Sequence, residues 1–376
     1  MTCLYVAAGG GGDALAAAIV HRALGHAEPA IIASYAWDRL AVDPLPGPRG
    51  ADDFAGLRPL GRHNHIITPT TPPLPPSGST LPRLAGDLAD TLVLLDPSHG
   101  AAGMRAQLTE LVDTYRADTV TVLDVGGDAI ARGDEPGLRS PLADALSLAA
   151  TTGIDTPVDV MVAGPGLDGE LPEADVLHVI GQHPHLRLTA ADVEPFKTTL
   201  NWHPSEATAL LAAAARGIRG RVEIRDAGLA VDLTDNSPEI YALPIATVVE
   251  HNRLAVALAD TRSLGEAEDA TRDHCGFTEI DHERAKRLRS ELTRRPGRSL
   301  ELDAALRRFE REAAARRVDY VTFRRIAEAL RPASIDVADL RRHLVTTRPE
   351  HYDWPLWSLT AKTVNRPRVP GAIGPH

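Results

Sequence analysis

Apolar runs of strand length recur along the chain, and most end in a short polar turn that carries glycine. Residues 2–8 form the first run. It passes into Gly9-Gly10-Gly11-Gly12-Asp13 and then into helix formers over 14–24. Residues 30–33 predict a second strand and 63–68 a third. A further strand is predicted at 90–95, with Asp96-Pro97-Ser98-His99-Gly100 as its turn. The helix after it shows in the spacing of Met104, Leu108, Leu111 and Val112. Residues 119–123 predict a buried strand ending in Asp124-Val125-Gly126-Gly127-Asp128, with a helical pattern at 140–150. Residues 158–163 and 176–180 read as two more strands, closed by Gly164-Pro165-Gly166-Leu167-Asp168 and by Gly181-Gln182-His183-Pro184-His185.

Strand and helix patterns that alternate in this way predict an α/β protein of Rossmann-like, doubly wound type. Its sheet should be mostly parallel, with helices on both faces. Ligands of such sheets bind beyond the carboxyl ends of the strands, where strand order reverses. Five polar turns at those ends therefore point to one crevice.

Proline breaks the pattern at 43–50 and again in the Pro/Thr/Ser-rich stretch 68–82, which predicts an extended surface loop. Thr189 with Asp192 predicts a helix start, and the helix should run to 200. Pro204, Ser205 and Glu206 predict another helix start. Residues 220–225 and 229–233 read as a hairpin around Asp226-Ala227-Gly228, and 243–249 as one more strand. From 281 onward the pattern is helical, broken at Pro296-Gly297 and Pro332. These readings divide the chain into an α/β ligand-binding domain at 1–250 and a mainly helical C-terminal region at 251–376. Tyr352, Trp354 and Trp357 read as anchors of the C-terminal tail.

Charge narrows the choice of partners. The net charge is −11, which disfavours a nucleic-acid binder. Residues 283–325 carry 14 Lys+Arg against 7 Asp+Glu, leaving that segment +7 and the remainder −18. Acids spaced against those arginines, as in Glu283 with Arg287, indicate a solvated helix face. The C-terminal helices are a candidate surface for a homo-oligomer. Cys3 and Cys275 are too few for a disulfide framework or a cysteine-based metal site, and Cys3 reads as a small core residue. No apolar run reaches membrane-spanning length and no leader opens the chain, which predicts a cytoplasmic protein without a membrane partner.

The candidate chemistry gathers at the strand ends. Gly9, Gly10, Gly11, Gly12 and Asp13 offer backbone N–H groups and a helix N-terminus to a phosphate. Their spacing matches neither GxGxxG nor GxxxxGK[ST]. A NAD-type dinucleotide site would need an acid about 20 residues further on, and Glu28 and Asp38 are poorly placed for that role. Asp124, Asp128, Asp134 and Glu135 are candidates for holding Mg²⁺ or ribose hydroxyls. Gly126, Gly127, Gly164 and Gly166 allow a ligand to approach the backbone closely. His203 and Glu206, with Asp128, are candidate proton carriers. His203 should titrate near neutrality unless perturbed. His183 and His185 with His203 and Asp168 form a candidate transition-metal set. For each feature the plain alternative is structural: a tight strand–helix connection, a solvated turn or a capping histidine.

The residues 9–13, 124–128, Gly133-Asp134-Glu135, Ser140-Pro141-Leu142-Ala143-Asp144 and Trp202-His203-Pro204-Ser205-Glu206-Ala207 together resemble the DUF1152 family. These are largely uncharacterised archaeal and bacterial proteins, and the resemblance covers about residues 1–250. It implies a shared α/β fold and a site built from these turns, without a settled activity. The residues favour an enzyme of small-molecule metabolism with an anionic, phosphorylated or nucleotide-like substrate, in transfer, ligation or lyase chemistry. A metabolite-binding regulatory protein and a NAD-type enzyme are the alternatives.

Overall fold

The computed structural model describes residues 2–181, 185–225, 228–293, 302–330 and 337–361. In chain order the strands are β1 (Cys3–Ala7), β2 (Ile31–Ser34), β3 (Arg58–Leu60), β4 (Asn64–Ile67), β5 (Thr91–Leu94), β6 (Thr119–Val125) and β7 (Val158–Ala163). They continue with β8 (His185–Arg187), β9 (Gly220–Glu223), β10 (Ala230–Leu233), β11 (Glu239–Pro244), β12 (Tyr320–Val321), β13 (Tyr352–Asp353) and β14 (Leu356–Ser358).

Nine of these strands form the central sheet, in the order β3-β4-β5-β2-β1-β6-β7-β11-β8. The five middle strands are mutually parallel, and antiparallel pairs close both edges. From β1 the sheet grows outward through β2 and β5 on one side and through β6 and β7 on the other. The protein is thus a mixed α/β structure with a large, mostly parallel sheet. Alternation within β1 shows how both faces are covered. Leu4 and Val6 enter the apolar cluster that holds helices Gly100–Tyr115 and Pro141–Thr151, while Tyr5 and Ala7 enter the one that holds Gly11–Ala23 and Glu206–Ala215.

Three expectations need correction. Residues 176–180 belong to helix Glu173–Ile180, not to a strand. The run is apolar apart from His178, yet only Val176 and Ile180 are buried, four apart, which is helical spacing. Strand β11 ends at Pro244 and helix Ile245–His251 follows, so 243–249 is a strand end and a helix. Pro244, lacking an N–H, closes the ladder and opens the helix. The expected helix at 189–200 is broken at Glu194–Phe196 around Pro195, although Thr189 is the N-cap as predicted and its N–H and hydroxyl donate to Asp192.

The C-terminal part is not purely helical. Strands β12, β13 and β14 join the β9–β10 hairpin in a second sheet, order β10-β9-β12-β14-β13, which draws strands from both sides of residue 250. Trp357 is fully buried among helices Leu302–Ala315, Phe323–Leu330 and Val337–Thr347, a core element rather than a tail anchor. Pro296, Gly297 and Pro332 lie outside the described residues. No helix among the described residues is long and apolar enough to cross a membrane.

Candidate functional site

The turn after β1 and the end of β6 meet beside the point where strand order reverses, and a cavity of about 130 Å³ opens there. It is lined by Gly9, Gly11, Gly12 and Asp13, by Asp124, Val125 and Asp128, and by His203 to Ala207, which pack against the glycine turn. Helix Pro141–Thr151 supplies Asp144. Every residue of that helix is buried, so Asp144 is an ionisable group among alanines and leucines, and it lines the cavity.

Carboxylate oxygens of Asp13, Asp124 and Asp144 lie within 4.8 Å of one another. Asp13 accepts from the Gly9 N–H at 2.6 Å, and Asp124 from the Ala129 N–H at 3.1 Å. Oδ1 of Asp144 is buried without a hydrogen-bond partner, and so is Oδ1 of Asp128. The Ser140 hydroxyl donates to Asp128 Oδ2 at 3.2 Å, and Asp168, at the end of the Gly164–Gly166 turn, places a second carboxyl beside Asp128. At Gly126 (φ 127°) a Cβ would fall 2.3 Å from the Asp168 Cγ, so only glycine leaves room for that carboxyl. Gly127, Gly164 and Gly166 also hold positive φ. Gly166 donates to the Gly126 carbonyl at 2.6 Å, tying the two turns together. Gly164 and Gly166 shape the turn without lining the cavity.

Crowding these acids makes ionisation costly. Burial, and next the Asp13 and Asp168 charges, push Asp124 well above the ordinary carboxylate range. Burial followed by Asp124, Asp13 and Glu279 does the same to Asp144. Asp128 rises through burial and the Asp168 and Glu170 charges. Burial also brings Asp13 up to about 7, against the opposing pull of the Gly9 N–H. Asp134 and Glu135 are not brought to this cluster. Asp134 is exposed and pairs with Arg132, and Glu135 accepts from the Arg132 and Gly133 N–H groups. The acids that join Asp124 are Asp13 and Asp144 instead.

Burial also decides the state of His203, lowering its imidazole to about 4, so it is neutral at physiological pH. Its Nδ1 accepts from the Ser205 N–H at 3.3 Å, which puts the ring proton on Nε2. Nε2 has no hydrogen-bond partner. His203 therefore presents an N–H donor to the cavity, not a base poised near neutrality. Glu206 is tied up structurally. It accepts from the Arg225 N–H at 3.0 Å and from the Thr322 hydroxyl, and Arg324 lies 3.5 Å away. A proton-carrying role at Glu206 would have to break that set.

Gly9-Gly10-Gly11-Gly12 serves packing as well as the cavity. A Cβ at Gly12 would meet the Ser205 Oγ at 2.5 Å, and one at Gly11 the Thr80 Oγ1 at 3.0 Å. Gly10, at φ 120°, caps the helix and backs onto the Trp37 carbonyl. The rim is basic. Arg39, exposed, shares it with Arg225, which pairs with Glu170 at 3.3 Å, and with Arg324. Glu283 holds the Trp37 indole N–H at 3.2 Å, and Glu279 caps helix Pro141–Thr151 through the Leu142 and Ala143 N–H groups. Burial raises Glu279 to about 8. Of the histidine set, His183 and the side chain of His185 lie outside the described residues.

The family comparison agrees with the sequence resemblance and extends it. The family model described as a protein of unknown function, DUF1152, matches residues 4–287. The chain belongs to the DUF1152 family. Its matched span includes every carboxylate of the cavity, Glu279 and Glu283 among them, whereas Arg324 lies beyond it. No curated protein and no solved structure matches this DUF1152 chain.

Sequence reasoning missed Asp144, Glu279, Glu283, Arg225 and Arg324 as site residues. A signal existed for Asp144 alone: an acid inside an otherwise apolar helix that follows Ser140-Pro141.

Proposed function

We propose that this protein is a divalent-cation-dependent enzyme acting on a small phosphorylated or nucleotide-like substrate. The convergence of Asp13, Asp124 and Asp144, with Asp144 Oδ1 unpartnered, carries the reading. Hard oxygen ligands suit Mg²⁺, which when bound would act as a Lewis acid on a phosphoryl or carbonyl oxygen. Arg39, Arg225 and Arg324 would face the substrate's anionic group. His203 would donate from Nε2 to an oxygen that gains charge, and the Asp128–Asp168 pair would take or give the proton. The strand order fits a Rossmann-like, doubly wound reading, with the site at the switch point. A cavity of about 130 Å³ suits an ion and one head group. Ligand pockets run to about 300–1,000 Å³, so a whole dinucleotide would lie largely outside this one.

Melting curves with Mg²⁺ across pH test the metal half of the proposal. The Asp13 and Glu279 carboxyls titrate higher in the folded than in the unfolded chain. Their protonated forms stabilise the fold at low pH, and that contribution is lost as pH rises through about 7 and about 8. A cation binds the ionised carboxylates. In EDTA the melting temperature should therefore fall toward pH 8, and the increment from Mg²⁺ or Mn²⁺ should grow with pH. No increment at pH 8 would sink the metal reading. Sugar phosphates and nucleotides added with Mg²⁺ test the substrate half, through a further shift and turnover. A shift without turnover would mark a binding protein.

A further inference from the structure

At the other end of β1 from the glycine loop a second cluster forms, of different chemistry. Cys3 begins β1, His21 lies in the last turn of helix Gly11–Ala23, and His26 follows in the loop toward β2. One ligand atom from each lies within 4.8 Å of the other two. The Cys3 Sγ is 3.8 Å from the His26 Nε2. Cys3 is half-buried, His21 is buried and His26 is exposed, so the cluster opens to solvent on one side.

We propose that Cys3, His21 and His26 form a site for a soft divalent transition-metal ion such as Zn²⁺, separate from the carboxylate cavity. A thiolate with two imidazoles selects Zn²⁺ or Co²⁺ over Mg²⁺. The state of His21 favours the role. Its Nε2 sits 2.7 Å from the Glu28 carbonyl and donates to it, which leaves Nδ1 as the lone-pair nitrogen. A metal-binding imidazole held at its other nitrogen by a backbone carbonyl is the usual supporting arrangement. Nδ1 now meets only the Tyr5 hydroxyl, at 3.4 Å.

Tetrahedral zinc, with bonds of about 2.3 Å to sulfur and about 2.0–2.1 Å to nitrogen, needs ligand atoms roughly 3.3–3.7 Å apart. The Cys3–His26 separation is close to that. The rings of His21 and His26 stack at 4.7 Å, 16° from parallel, so His26 must turn out of the stack to point at the ion. Being exposed, it has room to turn. Binding forms one sulfur–metal bond and breaks the S–H bond, with the proton leaving to water. Burial raises the Cys3 thiol, so affinity should rise with pH. The fourth position, on the open side, is left to water. A bound ion would tie the start of β1, the end of its helix and the loop to β2 into one unit. That unit carries the glycine turn of the cavity.

Co²⁺ titration of the full chain provides the test, because a thiolate ligand gives a sulfur-to-cobalt charge-transfer band that carboxylates cannot give. The wild type should show the band, and Zn²⁺ but not Mg²⁺ should abolish it. Cys3→Ser should lose it, while Cys275→Ser and Asp144→Asn keep it. His26→Gln, at an exposed position with little folding risk, should weaken Co²⁺ binding by at least the roughly 10–100-fold typical of lost supporting contacts. Absence of the band, its persistence in Cys3→Ser, or unchanged affinity in His26→Gln would each overturn the proposal. Asp144→Asn removes the other site, so failure here and failure of the carboxylate reading stay distinguishable.

Discussion

Asp144→Asn is expected to weaken divalent-cation binding severely and to remove activity, while leaving the melting temperature in EDTA unchanged or raised. Asparagine nearly matches the volume and shape of aspartate, so helix Pro141–Thr151 keeps its packing. What disappears is a carboxylate whose ionisation is opposed first by burial and then by Asp124, Asp13 and Glu279. Oδ1 of Asp144 has no hydrogen-bond partner to lose. A residue kept for structure behaves otherwise, since breaking its buried bonds would cost about 1–3 kcal/mol. Loss of one of three carboxylate ligands should weaken Mg²⁺ or Mn²⁺ by about 100-fold or more, equivalent to about 2.7 kcal/mol. Calorimetric titration and melting in EDTA on the same variant separate the cases. Asp124→Asn should behave alike, because the amide oxygen can still accept from the Ala129 N–H. Undiminished cation affinity in both variants would remove the basis of the proposed function.

The sequence was legible where period and turn chemistry agreed. Runs with a glycine turn at one end became β1, β5, β6 and β7, and Thr189 caps its helix where the pattern put it, whereas Pro204, read as a first-turn residue, precedes the cap at Ser205. It misled at Val176-Leu177-His178-Val179-Ile180. Nearly unbroken apolarity hid the helical spacing of the two residues that are buried. Proximity in sequence also misled at the site. Asp134 and Glu135 follow Asp128 closely, but the short turn Asp128–Ile130 carries them out to Arg132. Asp13 and Asp144, 131 positions apart, meet because β1 and β6 are neighbours and each leads into a helix at the same end of the sheet. Spacing cannot show that neighbour relation before strand order is known. The protonation states were equally out of reach. His203 has an ordinary imidazole in sequence terms, and only its burial makes it a neutral donor.

Burial also turns the junction between the two sheets into a testable feature. The hairpin strand β9 places Glu223 with a fully buried side chain. Its carboxylate receives the Arg316 guanidinium at 2.8 Å and the Arg325 Nε at 2.7 Å. Both arginines come from beyond residue 300, and Arg325 is itself almost wholly buried. Exchanging such a network for apolar residues can be neutral, but removing one partner leaves a charge without a counterpart. That typically costs about 3–5 kcal/mol. Glu223→Ala should therefore lower stability by about this amount in urea unfolding. Glu223→Gln, which keeps one acceptor, should cost less. The effect should also reach the cavity, because Arg324 on the rim precedes Arg325 on the same helix, and Thr322 holds Glu206. Weaker binding of the proposed anionic substrate with unchanged Mg²⁺ affinity is the expected pattern, since Asp13, Asp124 and Asp144 all stand on the central sheet side. If residues 251–376 instead formed an independent domain, Glu223→Ala would split unfolding into two transitions and leave substrate affinity intact. That result would cut the C-terminal arginines out of the site.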